Sequence, residues 1–225
     1  MALKVSLCDD PEVRSFGSEV CAVATAPDSL EFCVGLDEKP CLSVMRVGSS
    51  AAETFDDHDL GLWCLTYTPD GSSVVCGSPD CNISVRFLRS PERRPIVLSD
   101  GSVANIVFGV AVSPDGRRVA SATQKNAVKI WDIESGKIVL TFNGHRDVVN
   151  SVLFSRDGTA VFSGSGDKTV MKFEATTGRV MSTAKGHASS VYYLAISGAG
   201  DVLASGSYDH TIRIWGSQYG ECHAV

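Results

Sequence analysis

Four residues near the C-terminus carry the side chains of a hydrolytic relay: His187, Ser205, Asp209 and Trp215. A serine hydroxyl deprotonated by an imidazole that a carboxylate orients is the chemistry of acyl transfer. That chemistry also needs an exposed nucleophile and donors for the oxyanion, and the chain has no G-x-S-x-G elbow to raise a serine into reach. The same groups support a second, structural chemistry. An indole N–H only donates, a hydroxyl donates and accepts, a neutral imidazole does one of each, and a carboxylate accepts several N–H groups. Buried together, they satisfy one another. The offsets recur: His145, Ser163 and Asp167 repeat them with Phe173 in the tryptophan place, so that hydroxyl loses its indole donor. His58, Cys76 and Asp80 repeat them again, with Phe87 one residue late. A further unit holds Val103, Ser121, Lys125 and Trp131, and without imidazole or carboxylate it is expected to rely on apolar packing.

What must position these groups is a repeat. Ser113-Pro114-Asp115-Gly116 returns as Ser155-Arg156-Asp157-Gly158 and as Ser197-Gly198-Ala199-Gly200, each 42 residues on. Trp131 returns as Phe173 and Trp215, and Gly144-His145 as Gly186-His187, at the same period. The turn aspartate falls at Asp28, Asp70, Asp115 and Asp157, with Ala199 in the fifth place, at intervals of 42, 45, 42 and 42. The longer interval assigns a surface insertion to residues 90–100, tolerable because loop-closure entropy grows slowly with length. In the last unit, residues 191–197 alternate as a strand, 198–201 turn, 202–207 form a small-residue strand, 208–210 turn, and 211–215 alternate again. Residues 221–225 start its outer strand, and 179–184 are the outer strand of the unit before. The five units span approximately 20–47, 60–88, 107–132, 149–174 and 191–216, each followed by an outer strand, with 1–19 as an N-terminal segment and possible edge strand. A period of about 40–45 residues with four short strands per unit is the sequence form of a β-propeller.

On Gly144-His145, Gly186-His187, the turn at 113–116, Lys129-Ile130-Trp131-Asp132 and Arg213-Ile214-Trp215, the chain resembles the WD40 repeat proteins over residues 20–225, most closely from 107 onward. It departs at the WD dipeptide, which is Phe87-Leu88, Phe173-Glu174 and Trp215-Gly216 in the second, fourth and fifth units. The resemblance implies an all-β, WD40-type β-propeller of about five four-stranded antiparallel blades. It implies that His187, Ser205, Asp209 and Trp215 form the family's structural tetrad, and that His145, Ser163 and Asp167, and His58 and Asp80, are partial tetrads. It implies a noncatalytic scaffold, without cofactor, that binds other proteins through the top face of the ring. In the family that face is built from the turn before each first strand, the start of that strand, and the residue before the tetrad aspartate. Those places hold Gly61 with Trp63, Ile106 with Phe108, Val148 with Asn150, Ser190 with Tyr192, and then Pro79, Gln124, Gly166 and Tyr208. Trp63, Ile106, Phe108, Tyr192 and Tyr208 are the expected protein-binding residues, since large apolar and aromatic side chains bury much area for little rotamer entropy. The bland alternative is that Trp63 and Phe108 plug the inner ends of the blades.

Composition narrows the classes. With 20 basic against 26 acidic residues the formal charge is -6, which argues against a phosphate-binding face and so against nucleic acid. Arg86, Arg89, Arg93 and Arg94 lie in a polar, proline-containing connection and read as a solvated loop. The eight cysteines include no C-x-x-C pair, so no metal site is expected. Cys33, Cys64 and Cys76 read as small buried hydrophobes in a reducing compartment. P-loop, G-x-G-x-x-G and H-E-x-x-H motifs are missing, which leaves a propeller-borne hydrolase as a distant alternative. Residues 1–13 carry no signal-peptide run, and the longest apolar stretch, 103–112, is too short to span a bilayer, so a cytoplasmic or nuclear location away from membranes is expected.

Most WD40 rings resemble seven-bladed propellers, two blades more than this chain supplies. An incomplete or open ring is expected, with unpaired strand edges at its ends that invite strand addition by a partner. Three arrangements fit: part of a longer propeller, an open propeller completed by a partner or a second copy, or a ring closed by pairing residues 1–18 with 221–225. A structural subunit joined to a large assembly through that open edge is the alternative function.

Overall fold

The computed structural model describes residues 16, 18–27, 30–38, 41–49 and 51–216, and the backbone of 222–224. Every regular element among them is a strand, and the strands form five antiparallel sheets of four, each in sequence order. The first sheet comprises β1 (Val20–Thr25), β2 (Glu31–Leu36), β3 (Leu42–Arg46) and β4 (Ala52–Phe55). The second comprises β5 (Cys64–Tyr67), β6 (Ser73–Gly77), β7 (Ile83–Phe87) and β8 (Ile96–Leu98). The third comprises β9 (Val107–Val112), β10 (Arg118–Thr123), β11 (Val128–Asp132) and β12 (Ile138–Phe142). The fourth comprises β13 (Val149–Phe154), β14 (Ala160–Ser165), β15 (Thr169–Glu174) and β16 (Val180–Lys185). The fifth comprises β17 (Val191–Ile196), β18 (Val202–Ser207), β19 (Ile212–Gly216) and β20 (Cys222–Ala224).

Local chemistry sets the turns. Between β9 and β10, Asp115 accepts from the Ser113 hydroxyl at 2.5 Å and from the Arg117 amide at 3.1 Å, while Gly116 takes the left-handed φ of 71° that closes the turn. Thr68 with Asp70, and Ser155 with Asp157, repeat the device. The fifth unit, with Ala199 in the aspartate place, uses Asp201 instead, which accepts from the Ser197 hydroxyl at 2.6 Å. The turn of the first unit would rest on Asp28, which lies outside the described residues. The second hairpin of each later unit also needs a left-handed residue, and here Cys81, Asn126, Lys168 and His210 adopt φ of 73°, 61°, 72° and 67° without being glycine.

Consecutive sheets pack face to face, because each carries apolar side chains on both faces and hides neither alone. Cys33 and Leu42 of the first sheet meet Leu62 and Val74 of the second. Val75 and Val85 meet Val107 and Val119; Ala122 and Val128 meet Val149 and Phe173; Phe162 and Val170 meet Val191 and Trp215. At the centre the first strands follow one another, β5 on β1, β9 on β5, β13 on β9 and β17 on β13, and no packing of that extent joins β17 to β1 among the described residues. The sheets are the blades of an open propeller.

Three expectations change. The insertion assigned to residues 90–100 is in part the outer strand β8, and Arg93 lies over the Phe87 ring at 3.7 Å, pinning the connection to its blade. Arg86 is not a solvated loop residue: it sits in β7, pairs with Asp57 and covers the Phe55 ring at 4.7 Å. The open end of the ring presents more than the strand edge inferred from sequence. The fifth sheet has its four strands like every other, and what its open end shows to solvent is a sheet face, with Tyr193 77% and Ile212 61% exposed. Closure by residues 1–18 pairing with 221–225 falls largely outside the described residues, as does most of the 1–19 segment.

Candidate interaction rim and buried relays

In the fifth blade the Trp215 indole donates to the Ser205 oxygen at 2.8 Å, and Ser205 lies 2.7 Å from His187 Nε2. Since the indole can only donate, the hydroxyl proton goes to Nε2, and His187 Nδ1–H then donates to Asp209 Oδ2 at 2.8 Å. Asp209 also accepts from the Ala188 amide at 2.8 Å and from the Thr211 hydroxyl at 2.6 Å. The Thr211 bond leads the causes that hold its carboxyl below the usual carboxylate range. The relay thus ties the loop before β17 to the turn after β18. Ser205 is 1% exposed, so its hydroxyl is out of reach of any substrate.

The fourth blade keeps His145 Nδ1 on Asp167 at 2.8 Å and Nε2 on Ser163 at 2.5 Å. Phe173, in the indole place, stacks on Phe142 at 3.6 Å between centroids, so apolar contact stands in for the missing donor. Burial pushes the His145 pKa down, against the upward pull of Asp167. In the second blade His58 reaches Asp80 at 2.9 Å, but its Nε2 meets Ser84 on β7 at 2.9 Å rather than Cys76. Cys76 and Ser84 are cross-strand partners, so the hydroxyl has moved one strand outward while filling the same space. The third blade is less bare than its sequence implies. Trp131 still donates to Ser121 at 2.9 Å, and the buried Asn105 accepts from the Lys125 amide at 3.1 Å, tying loop to turn from the opposite side. Val103, in the histidine place by offset, is 97% exposed.

The expected binding residues meet in two groups. Trp63, 39% exposed, and Phe108 lie on adjacent blades with ring centroids 5.4 Å apart. Ile106 is half-buried, and its carbonyl accepts from the Gln124 amide at 3.0 Å. Tyr192 and Tyr208, 44% and 69% exposed, approach to 6.2 Å on the fifth blade. Between the two groups the fourth blade offers Val148 and Asn150, and Asn150 donates to the Val191 carbonyl at 2.9 Å. Sequence reasoning missed Tyr193, which joins Tyr192 at 6.5 Å, and Leu60, 52% exposed. Tyr192, Tyr193, Gly206, Tyr208, His210 and Ile212 line a groove of about 500 Å³. The signal for Tyr193 was available as a large residue in a register position where the other blades carry small ones.

No helix among the described residues is long and apolar enough to cross a membrane, which says nothing of a β-barrel. The family model for the WD domain, G-beta repeat, matches residues 50–85, 96–132, 136–174 and 178–216. Curated relatives include the human "U3 small nucleolar RNA-interacting protein 2", 26% identical over 143 residues, covering 60% of this chain and 30% of that protein. Mouse "Transducin-like enhancer protein 2" is 28% identical over 135 residues, covering 57% and 17%. "WD repeat-containing protein SL1-17" of Schistosoma mansoni is 29% identical over 119 residues, covering 52% and 38%. The matched regions are thus well under half the length of these relatives.

Proposed function

Because the chain belongs to the WD40 repeat family, we propose that it is a noncatalytic scaffold that holds other proteins through the top rim of its propeller. What supports this reading is that Trp63, Phe108 and Tyr192 share one position in the repeat and that Tyr208 approaches Tyr192, with three of the four rings substantially exposed. Aromatic side chains at such positions give up little rotamer entropy and bury much area against a partner, which is the profile of binding hot spots. Ile106 contributes an aliphatic shoulder beside Phe108. The buried relays serve this function at one remove, because they clamp the loops that carry the rim.

Membership of the WD40 repeat family supports a protein as the class of partner, and the net charge of -6 favours protein over nucleic acid. The rim reading is tested by changing Trp63 and Tyr192 together to alanine and quantifying the proteins retained from native extract. Loss of a defined set, with an unchanged melting temperature, is expected. Retention of every partner would remove the rim hypothesis. A second reading, a structural subunit joined to an assembly through the open end of the ring, is favoured by the bare apolar face of the fifth blade.

A further inference from the structure

Serine or threonine precedes proline at four places: Thr68-Pro69, Ser78-Pro79, Ser90-Pro91 and Ser113-Pro114. Three of these hydroxyls are committed to the fold. Thr68 donates to Asp70 at 2.6 Å, Ser78 to the Gly61 carbonyl at 2.8 Å and Ser113 to Asp115 at 2.5 Å, and all three residues are buried. Ser90 differs in place and in company. It is half-buried at the start of a turn whose other members, Pro91, Glu92 and Arg93, are exposed, and the Arg93 amide closes that turn on the Ser90 carbonyl at 2.9 Å. Ser90 is also the one acceptor of the four with a cation three residues on: Arg93 stands where the others have Gly71, Cys81 and Gly116. The turn belongs to the connection 88–95 between β7 and β8, which is longer than the corresponding 133–137 and 175–179 of the next two blades. An exposed connection of that length can open without disturbing the strands it joins. Its positive charge is uncompensated: Arg86 pairs with Asp57, but Arg89, Arg93 and Arg94 form no ion pair among the described residues, in a chain of net charge -6. Arg93 is held in place by its position over the Phe87 ring at 3.7 Å, a contact that leaves guanidinium N–H groups for an anion.

We propose that Ser90 is a phosphorylation site, modified by a proline-directed protein kinase that reads Pro91 and Arg93, and that Arg93 then holds the phosphate across the turn. Such a kinase accepts directly after the serine a residue with no N–H to leave unpaired, and meets the cation three residues on with negative charge. The γ-phosphoryl group of ATP passes to the Ser90 hydroxyl oxygen: the new O–P bond forms, the bond to the β-phosphate oxygen breaks, ADP leaves and the hydroxyl proton goes to the kinase. The first and fourth residues of a turn lie within about 7 Å of each other, so a phosphate on Ser90 comes within reach of Arg93. With about two negative charges it offsets the local excess of arginine and makes charge-assisted hydrogen bonds. The site is remote from the rim. In an antiparallel blade the connection between the third and fourth strands lies at the same end as the turn between the first and second, and the Leu88 amide accordingly donates to the Ser72 carbonyl at 2.9 Å. Trp63 and the turn around Asp80 lie at the other end, so the inference goes beyond the scaffold reading and stands or falls independently of it.

The test treats the full protein with a cyclin-dependent kinase and ATP and maps the phosphate by mass spectrometry, alongside the same map of the protein isolated from its own cells. A phosphate on Ser90 is expected in both, with Thr68, Ser78 and Ser113 unmodified in the folded protein, and Arg93→Gln should slow the transfer about tenfold. The phosphorylated protein should melt about 2 °C higher than the unmodified one at low salt, a gain lost at high salt and in Arg93→Gln phosphorylated to completion. The maps need no variant, so poor folding of Arg93→Gln would not obscure the site, and the salt dependence tests the clamp without it. Phosphate on one of the three buried residues instead, Ser90 unmodified in the cellular protein, an undiminished rate with Arg93→Gln, or a melting temperature that does not rise would overturn the proposal. Any of these results with the rim mutant still losing partners would leave the rim reading standing.

Discussion

Ser205 accepts a hydrogen bond from Trp215 and donates one to His187, so it joins two buried groups that have no other partner of that kind. Its replacement by alanine strands both, whereas Ser163→Ala strands only His145 Nε2, because Phe173 has nothing to donate. Each stranded group costs about 1–3 kcal/mol, so Ser205→Ala should destabilise by roughly twice as much as Ser163→Ala in urea titrations. Equal losses would mean that the indole bond contributes little. The same groups set a pH response. The His145 pKa is lowered by burial, so below the ordinary histidine value the unfolded chain takes up a proton that the folded one resists, and stability falls as pH drops through that range. Asp157, held at about 2 chiefly by the Ser155 hydroxyl, and Asp100, also at about 2 where desolvation is outweighed by the bonds from Lys129 and Ser102 together, contribute stability that is lost between about pH 4 and pH 2. Both effects have the same sign. The urea midpoint should therefore decline in two stages from pH 7 downward, and His145→Gln should flatten the upper stage while lowering the midpoint overall.

At the scale of the hairpin, the backbone demands more than the side chains show. Cys81, Asn126, Lys168 and His210 occupy a left-handed position that costs a residue with a Cβ about 1–2 kcal/mol, asparagine least. Lys168 is exposed, so Lys168→Gly removes that strain without removing a buried contact. It should raise the melting temperature by a few degrees, as about 1 kcal/mol does in a chain of this size. An unchanged or lower value would show that glycine's freedom in the unfolded chain offsets the relief. The turn aspartates show how legible such elements were. Asp70, Asp115 and Asp157 stand where the repeat puts them, but Asp201 took the role of Ala199, since a carboxylate two residues further along still reaches the Ser197 hydroxyl. Ser84 replaced Cys76 for a related reason: cross-strand neighbours share one volume, and a one-dimensional offset does not see across a strand pair.

For the whole molecule, stability resides in the faces between blades. Gly164 and Gly206 have the same place in the repeat but opposite surroundings. A valine at 164 would meet Val191 at overlap distance, while one at 206 would enter open space. Gly164→Val should therefore cost about 1–3 kcal/mol and Gly206→Val close to nothing in the isolated protein. Equal costs would mean that the fifth blade is already covered in solution. The 42-residue period, the turn aspartates and the glycine-histidine pairs were enough to determine an all-β propeller of five four-stranded blades, because each marker is a local requirement of a hairpin and hairpins repeat in sequence. The tertiary structure decided which faces of those blades are covered. Trp63 and Phe108 meet across a blade boundary, Arg86 is held by Asp57, and Ile212 lies bare although Val170, at the same place in the repeat, is buried. Burial depends on what the neighbouring blade supplies, and that neighbour is some forty residues away in the chain.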